Sequence, residues 1–179
     1  MRCFISIELP EDVKNELAKI QAELPKENTK FLLVKPENIH LTLKFLGELD
    51  DSEVNNVKET LKGLKFSKFT ARLNAIGIFP SPSFIRVVWV GLEPKSEFIK
   101  IHDLIDSELE KKGFRKDKVW ENHATLTRVK WLGDREGFMK SLSGIKIKPI
   151  EFDIDNITLR KSTLTKEGPV YEDVIKVNL

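Results

Sequence analysis

The chain has 179 residues, 40% of them hydrophobic, with 30 Lys and Arg against 28 Asp and Glu for a net charge of +2. That is ample apolar material for a core, which excludes a disordered chain, and the near-neutral balance excludes a broadly basic surface, so any polyanion site must be a local pocket. Cys3 is the one cysteine, which rules out an internal disulfide; with neither a signal-peptide pattern nor an apolar run near the ~20 residues of a membrane helix, the expectation is a reducing cytoplasm and no membrane association.

Residues 2–8 read as a buried strand ended by Leu9-Pro10. Pro10, with Glu11 and Asp12 after it, opens a helix whose apolar face is Val13, Leu17, Ile20 and Leu24, and Pro25 stops it. A short apolar run covers 30–34, and an alternating strand runs from Ile39 to Leu46 before Gly47. A second helix fits Asp51 to Lys62, with Val54, Val57 and Leu61 on one face. Phe69–Phe79 and Phe84–Leu92 predict a hairpin joined by Pro80-Ser81-Pro82-Ser83. Residues 95–112 carry the clearest helical pattern, with Phe98, Ile101, Ile105 and Leu109 inward and Gly113 at the end. A strand from His123 to Leu132, a short helix from Asp134 to Leu142 and strands over about 147–161 and 170–177 complete the chain. Without regular βαβ alternation this is an α+β layout in which antiparallel pairing is favoured. No linker or low-complexity stretch interrupts it, so residues 1–179 read as one domain.

Two segments share a pattern. Glu37-Asn38 precedes His40-Leu41-Thr42-Leu43, and Glu121-Asn122 precedes His123-Ala124-Thr125-Leu126. The repeat predicts related strands about a pseudo-twofold axis. Side chains two apart on a strand share a face, so His40, Thr42 and Lys44 point one way while Ile39, Leu41, Leu43 and Phe45 bury the other. On the second strand the apolar parity changes between Leu126 and Val129; a β-bulge near Thr127 accounts for this and swings Arg128 onto the His123 face.

If both strands face one cleft, it holds two imidazoles, two hydroxyls and a guanidinium. Histidine titrates near neutrality, so one ring can act as a base and the other as an acid. The hydroxyls of Thr42 and Thr125 can donate to phosphoryl oxygens, and Arg128 can stabilise charge there. This suits in-line phosphoryl chemistry without a metal. No Cys partner or HExxH spacing supports zinc. His102, on the long helix, reads as a surface or core-edge residue. Lys44 and Lys130 read as solvated strand residues, and Cys3 as packing.

With these motifs the chain resembles the two-histidine phosphoesterases, and within them the RNA 2',3'-cyclic phosphodiesterases, historically called 2'-5' RNA ligases. The resemblance covers nearly the whole chain. It includes Arg2 to Pro10, His40 to Gly47, Gly77-Ile78-Phe79-Pro80 with Arg86-Val87-Val88-Trp89, and His123 to Arg128. It extends to Ser162-Thr163-Leu164 and Gly168-Pro169-Val170-Tyr171. The departures are Thr127, where the family often has a small residue, and Ile85, where it often has proline. The resemblance implies a bilobal α+β fold, each lobe a small antiparallel sheet backed by helices, with one His-x-Thr motif per lobe facing a central cleft. It implies opening of RNA 2',3'-cyclic phosphate ends, tRNA fragments included, to 2'-phosphates by a monomer without a cofactor. His40 would protonate the leaving 3'-oxygen and His123 would activate water, while Thr42, Thr125 and Arg128 hold the phosphate and Phe4 or Tyr171 stacks on a base. ATP-independent 2'-5' ligation is the side reaction. The alternatives are a non-catalytic RNA-binding module and a phosphodiesterase for a small-molecule cyclic phosphate.

Overall fold

The apolar periodicities resolve, in a computed structural model describing residues 1–179, into nine strands and four α-helices. In chain order these are β1 (Arg2–Glu8), α1 (Glu11–Glu23), β2 (Thr29–Leu33), a 3-10 turn (Pro36–Asn38), β3 (His40–Glu48) and α2 (Asp51–Gly63). There follow β4 (Phe69–Ser81), β5 (Phe84–Glu93), α3 (Lys95–Glu110) and β6 (His123–Leu132). The chain ends with α4 (Arg135–Gly144), β7 (Glu151–Ile154), β8 (Asn156–Thr165) and β9 (Gly168–Asn178). The helix starts follow their side chains: Asp50 and Glu53 form a reciprocal capping box for α2, and the Asp134 carboxylate accepts from the Gly137 N–H of α4. Two expectations change. The strand expected over 147–161 is two strands broken at Asp155, and the β4–β5 hairpin continues to Ser81, leaving only Pro82-Ser83 as the turn. No helix is long and apolar enough to cross a membrane.

All strand pairs are antiparallel, and they join in the order β7-β4-β5-β6-β3-β1-β8-β9, with β2 also on β6. This ribbon has two halves. One is β3-β1-β8-β9 and the other is β7-β4-β5-β6 with β2. They meet at one bridge pair, Leu41 opposite Ala124, between the strands that carry the two His-x-Thr motifs. Connectivity is alike on each side: β1-α1 leads to β3, and β5-α3 leads to β6. Ile5, Ile7, Leu41, Leu43, Val88, Val90, Ala124 and Leu126 bury one sheet face against Val13, Leu17, Ile20, Phe98, Ile101 and Ile105 of α1 and α3. The other face is open.

Each motif strand carries a bulge at the same place. Against β1, Thr42 pairs with Ser6 and Lys44 with Ile5, so Leu43 is skipped. Against β5, Thr125 pairs with Trp89 and Thr127 with Val88, so Leu126 is skipped. The second bulge is the one expected from the parity of β6, one residue earlier. The first overturns the reading of Lys44 and Phe45. Lys44 turns to the helix-covered side and is 2% exposed, while Phe45 comes out on the open face at 72%. A bulge reverses the alternation after it, which parity read from an apolar Phe45 could not reveal.

What Lys44 finds behind the sheet ties the halves together. Its ammonium is ion-paired with Asp106 of α3, a helix of the opposite half, and donates to the Arg115 carbonyl at 2.9 Å. The Trp120 indole N–H donates to the Thr42 carbonyl at 3.0 Å. Reciprocally, Gln21 of α1 donates to the Leu126 carbonyl at 2.7 Å, at the other bulge. Burial by itself would raise the Asp106 carboxyl, but the bond and charge from Lys44 and the Asp117 N–H overcome it and hold it below the usual carboxylate range. Removing one partner of such a buried pair leaves an uncompensated charge, a cost of about 3–5 kcal/mol. Lys44→Ala and Asp106→Ala should therefore each lose that much stability in urea unfolding. Lys44→Met combined with Asp106→Leu should recover most of it; a double variant as weak as the sum of the singles would contradict the account.

Candidate active site

The bulged strands put His40 and Thr42 of β3, and His123, Thr125 and Arg128 of β6, on the open face on either side of the seam. Each histidine is clasped in the same way. The His40 Nδ1–H donates to the Asn38 carbonyl at 2.7 Å, and the His123 Nδ1–H donates to the Glu121 carbonyl at 2.7 Å. A carbonyl can only accept, so in the neutral rings the proton sits on Nδ1 and the Nε2 lone pair faces the cleft. In each case the carbonyl two residues before the histidine fixes the tautomer. At His40 the Thr42 hydroxyl donates to Nε2 at 3.1 Å.

Each ring is also packed against two aromatic side chains. Phe4 and Tyr171 lie 5.0 and 5.3 Å from His40 between ring centroids, and Phe79 and Trp89 lie 5.0 and 5.9 Å from His123. Phe79 and Trp89 went unread as site residues in the sequence; the signal available was their place on a hairpin next to the second motif strand. Trp89 lies flat over Gly77, where a β-carbon would come within 2.1 Å of the indole. Phe4 is corrected by its burial. At 3% exposure, packed on His40 and Tyr171, it props the histidine and offers no free face to a base.

Burial depresses both imidazoles. Desolvation is the main cause at His40, joined by the positive charges of Arg160, Lys14 and His123, and lowers it to about 4 despite the bond to Asn38. His123 is lowered first by desolvation and further by Arg128, against the opposing effects of the Glu121 carbonyl and carboxylate. Desolvation raises the Tyr171 phenol, opposed by Arg128, Arg160 and Arg2. Across the seam, the charge of Arg128 acts on Tyr171 and that of His123 acts on His40. Arg160, which sequence reasoning missed, is ion-paired with Glu8 and bonded to Asp173 at 2.8 Å.

The remaining polar clusters are elsewhere. His102 is buried at 5% exposure and stacks on Trp120 at 4.5 Å, as a core-edge residue should. With Asp106 and Asp117 it forms a set of metal-ligand type, but the Lys44 ammonium already bonds Asp106 and lies 3.4 Å from Asp117, which supplies the cation these carboxylates need. A cavity of about 630 Å³ opens beyond Trp89, lined by Arg72, Asn74, Glu93, Lys95, Glu121 and Glu151 among others. Its two cations are bound to Glu93 and Glu121, so it offers a polyanion nothing.

A histidine held at about 4 when folded, against 6.5 ordinarily, refuses a proton that the unfolded chain accepts at pH values between these limits. Stability therefore rises with pH across that window and is lost as pH falls through it. Wild type should lose about 1–3 kcal/mol more than His40→Gln between pH 7 and pH 4. Urea unfolding at both pH values checks this, and equal losses would show that His40 is not depressed.

Residues 7–89 match the LigT like Phosphoesterase family. The RNA 2',3'-cyclic phosphodiesterase of Methanocaldococcus jannaschii is 36% identical over 177 residues, 98% of this chain and 99% of its own. That of Thermotoga maritima is 33% identical over 174 residues, covering 96% of this chain and 92% of its own. Among solved structures, TT0787 of Thermus thermophilus superposes with a TM-score of 0.81 at 26% identity, covering 100% of this chain and 98% of its own. Escherichia coli LigT complexed with 3'-AMP gives 0.79 at 23%, covering 99% and 97%, a likeness of fold.

Proposed function

Because this chain belongs to the LigT-like phosphoesterases, the family of the RNA 2',3'-cyclic phosphodiesterases, we propose that it hydrolyses RNA 2',3'-cyclic phosphate ends to 2'-phosphates. One observation of the site carries the mechanism: two histidines, each with Nδ1–H fixed on a backbone carbonyl and Nε2 turned to a shared cleft beside Arg128. In this reading His123 Nε2 takes a proton from water as the water oxygen attacks phosphorus. The bond from phosphorus to the 3'-oxygen breaks, and His40 Nε2–H gives that oxygen its proton. The 2'-ester bond stays, so the product is a 2'-phosphate. Both rings are neutral at pH 7 in the empty cleft; the negative charge of the bound phosphate raises them and lets one carry the proton the leaving oxygen needs. Thr42, Thr125 and Arg128 hold the phosphoryl oxygens, and Arg128 meets the charge that builds up in the transition state. Tyr171, partly exposed on the open side of His40, is the aromatic face left for a base. None of these steps needs a metal or ATP.

A 5'-hydroxyl in place of water would give a 2'-5' linkage by the same proton transfers, but water at about 55 M favours hydrolysis unless the second RNA end is tightly held. The enzyme acts as one monomeric domain, since each half supplies one histidine, and works in the reducing cytoplasm with Cys3 buried and free.

Incubation of a short RNA bearing a 2',3'-cyclic phosphate with the protein in excess EDTA should yield a 2'-phosphate. His40→Ala and His123→Ala should each be slower by about 100-fold or more. Retained RNA binding without turnover in wild type would instead support a binding module, and activity abolished by EDTA would remove the two-histidine scheme. The depressed histidines add a second expectation. The singly protonated free enzyme is most abundant below pH 6.5, so kcat/KM should peak on the acid side and fall about tenfold per pH unit above it. A kcat/KM optimum above pH 7 would contradict the depressed values.

A further inference from the structure

The open face of β6 continues past the catalytic groups. Leu32 of β2 lies opposite Arg128, and Lys30 lies opposite Trp131, with Lys130 skipped by another bulge. Paired residues share a face, and Lys30 and Leu32 are two apart, so Trp131 stands on the same face as Arg128. His123, Thr125, Arg128 and Trp131 therefore form one line along a single strand. Nothing packs over its far end: Trp131 is 53% exposed and Leu32 is 53% exposed. The indole is nevertheless seated, because it rests on Gly133, where a β-carbon would come within 2.6 Å of it.

Charge distinguishes this end of the cleft from the other. Lys30 and Arg128 are in no ion pair of the structure, whereas the cations in the cavity beyond Trp89 are bound to carboxylates. An exposed aromatic face beside free cations is the arrangement that holds single-stranded nucleic acid, by stacking on bases and attraction of phosphates. With Lys130 bulged out, Trp131 lies two ladder positions past Arg128, opposite Lys30 and Leu32 respectively, about 7 Å along the strand, which puts it outside the reacting phosphate and within reach of the adjoining nucleotide.

We propose that Trp131, with Lys30 beside it, is the docking point for the nucleotide preceding the cyclic phosphate. The substrate is then the end of an RNA chain and not a free mononucleoside cyclic phosphate. This rests on the cyclic phosphodiesterase reading above, and it names a specificity residue outside the catalytic group.

The test compares kcat/KM for a mononucleoside 2',3'-cyclic phosphate and for a short oligoribonucleotide ending in the same cyclic nucleotide. Trp131→Ala should lower the value for the oligonucleotide about 10-fold and leave the mononucleotide within twofold, while Trp131→Phe retains most of the oligonucleotide rate. The mononucleotide rate reports whether the variant is folded with its catalytic groups in place. Lys30→Glu should lower the oligonucleotide rate selectively and flatten its dependence on salt. Equal loss on both substrates, or no loss on either, would overturn the proposal. If wild type turned over neither substrate, the phosphodiesterase reading would fall and take this inference with it.

Discussion

The halves of this molecule touch along their sheets at a single bridge pair, Leu41 opposite Ala124, yet the two-histidine chemistry proposed for it requires their rings to be held in a fixed relation. A seam that narrow cannot fix two strands by ladder hydrogen bonds alone. The rigidity comes from behind, at the bulges. Each bulge breaks the regular alternation and turns one residue or carbonyl toward the helix-covered side. There a helix of the other half takes hold of it: Asp106 of α3 for Lys44, and Gln21 of α1 for the Leu126 carbonyl. The irregularity that lets Arg128 join the His123 face is also the anchor of the strand that carries it. The arrangement of the two histidines and the order of the two halves thus rest on the same few backbone irregularities.

Much of this could be read from the residues. The doubled His-x-Thr pattern, each copy with Glu-Asn just before it, located both histidines, and two-residue periodicity placed each threonine with its histidine. The parity change between Leu126 and Val129 announced the bulge on β6. The matching bulge on β3 was concealed because Phe45 follows it: an aromatic residue there extends the apolar alternation by one more position, although in the structure it is exposed on the open face. Lys44 was misplaced for the same reason. A lysine between apolar neighbours reads as solvated, and only the three-dimensional position of Asp106, 62 residues later, makes its burial tolerable.

The aromatic environment of each histidine was legible on one side only. Phe4 and Tyr171 came forward through family resemblance, whereas Phe79 and Trp89 are ordinary hairpin residues until the β4–β5 register brings Trp89 over Gly77. Burial then separated their roles in a way that composition could not. Rings packed on the imidazoles lower their pKa by excluding water, and exposed rings are the ones free to meet a ligand. The same distinction explains why Phe4, although central to the site, is not a platform.

The carbonyl clasps on Nδ1 have a consequence for how the site resets. Each ring has one nitrogen closed off by the backbone, so it exchanges protons only through the nitrogen that faces substrate. In the proposed mechanism one imidazole ends a turnover with a proton gained and the other with one lost, and neither can correct this through the protein behind it. The imbalance must be relayed across the emptied cleft by incoming solvent. Readiness for the next RNA end is therefore coupled to rewetting: the aromatic walls that dry the pocket for chemistry also set how quickly it recovers.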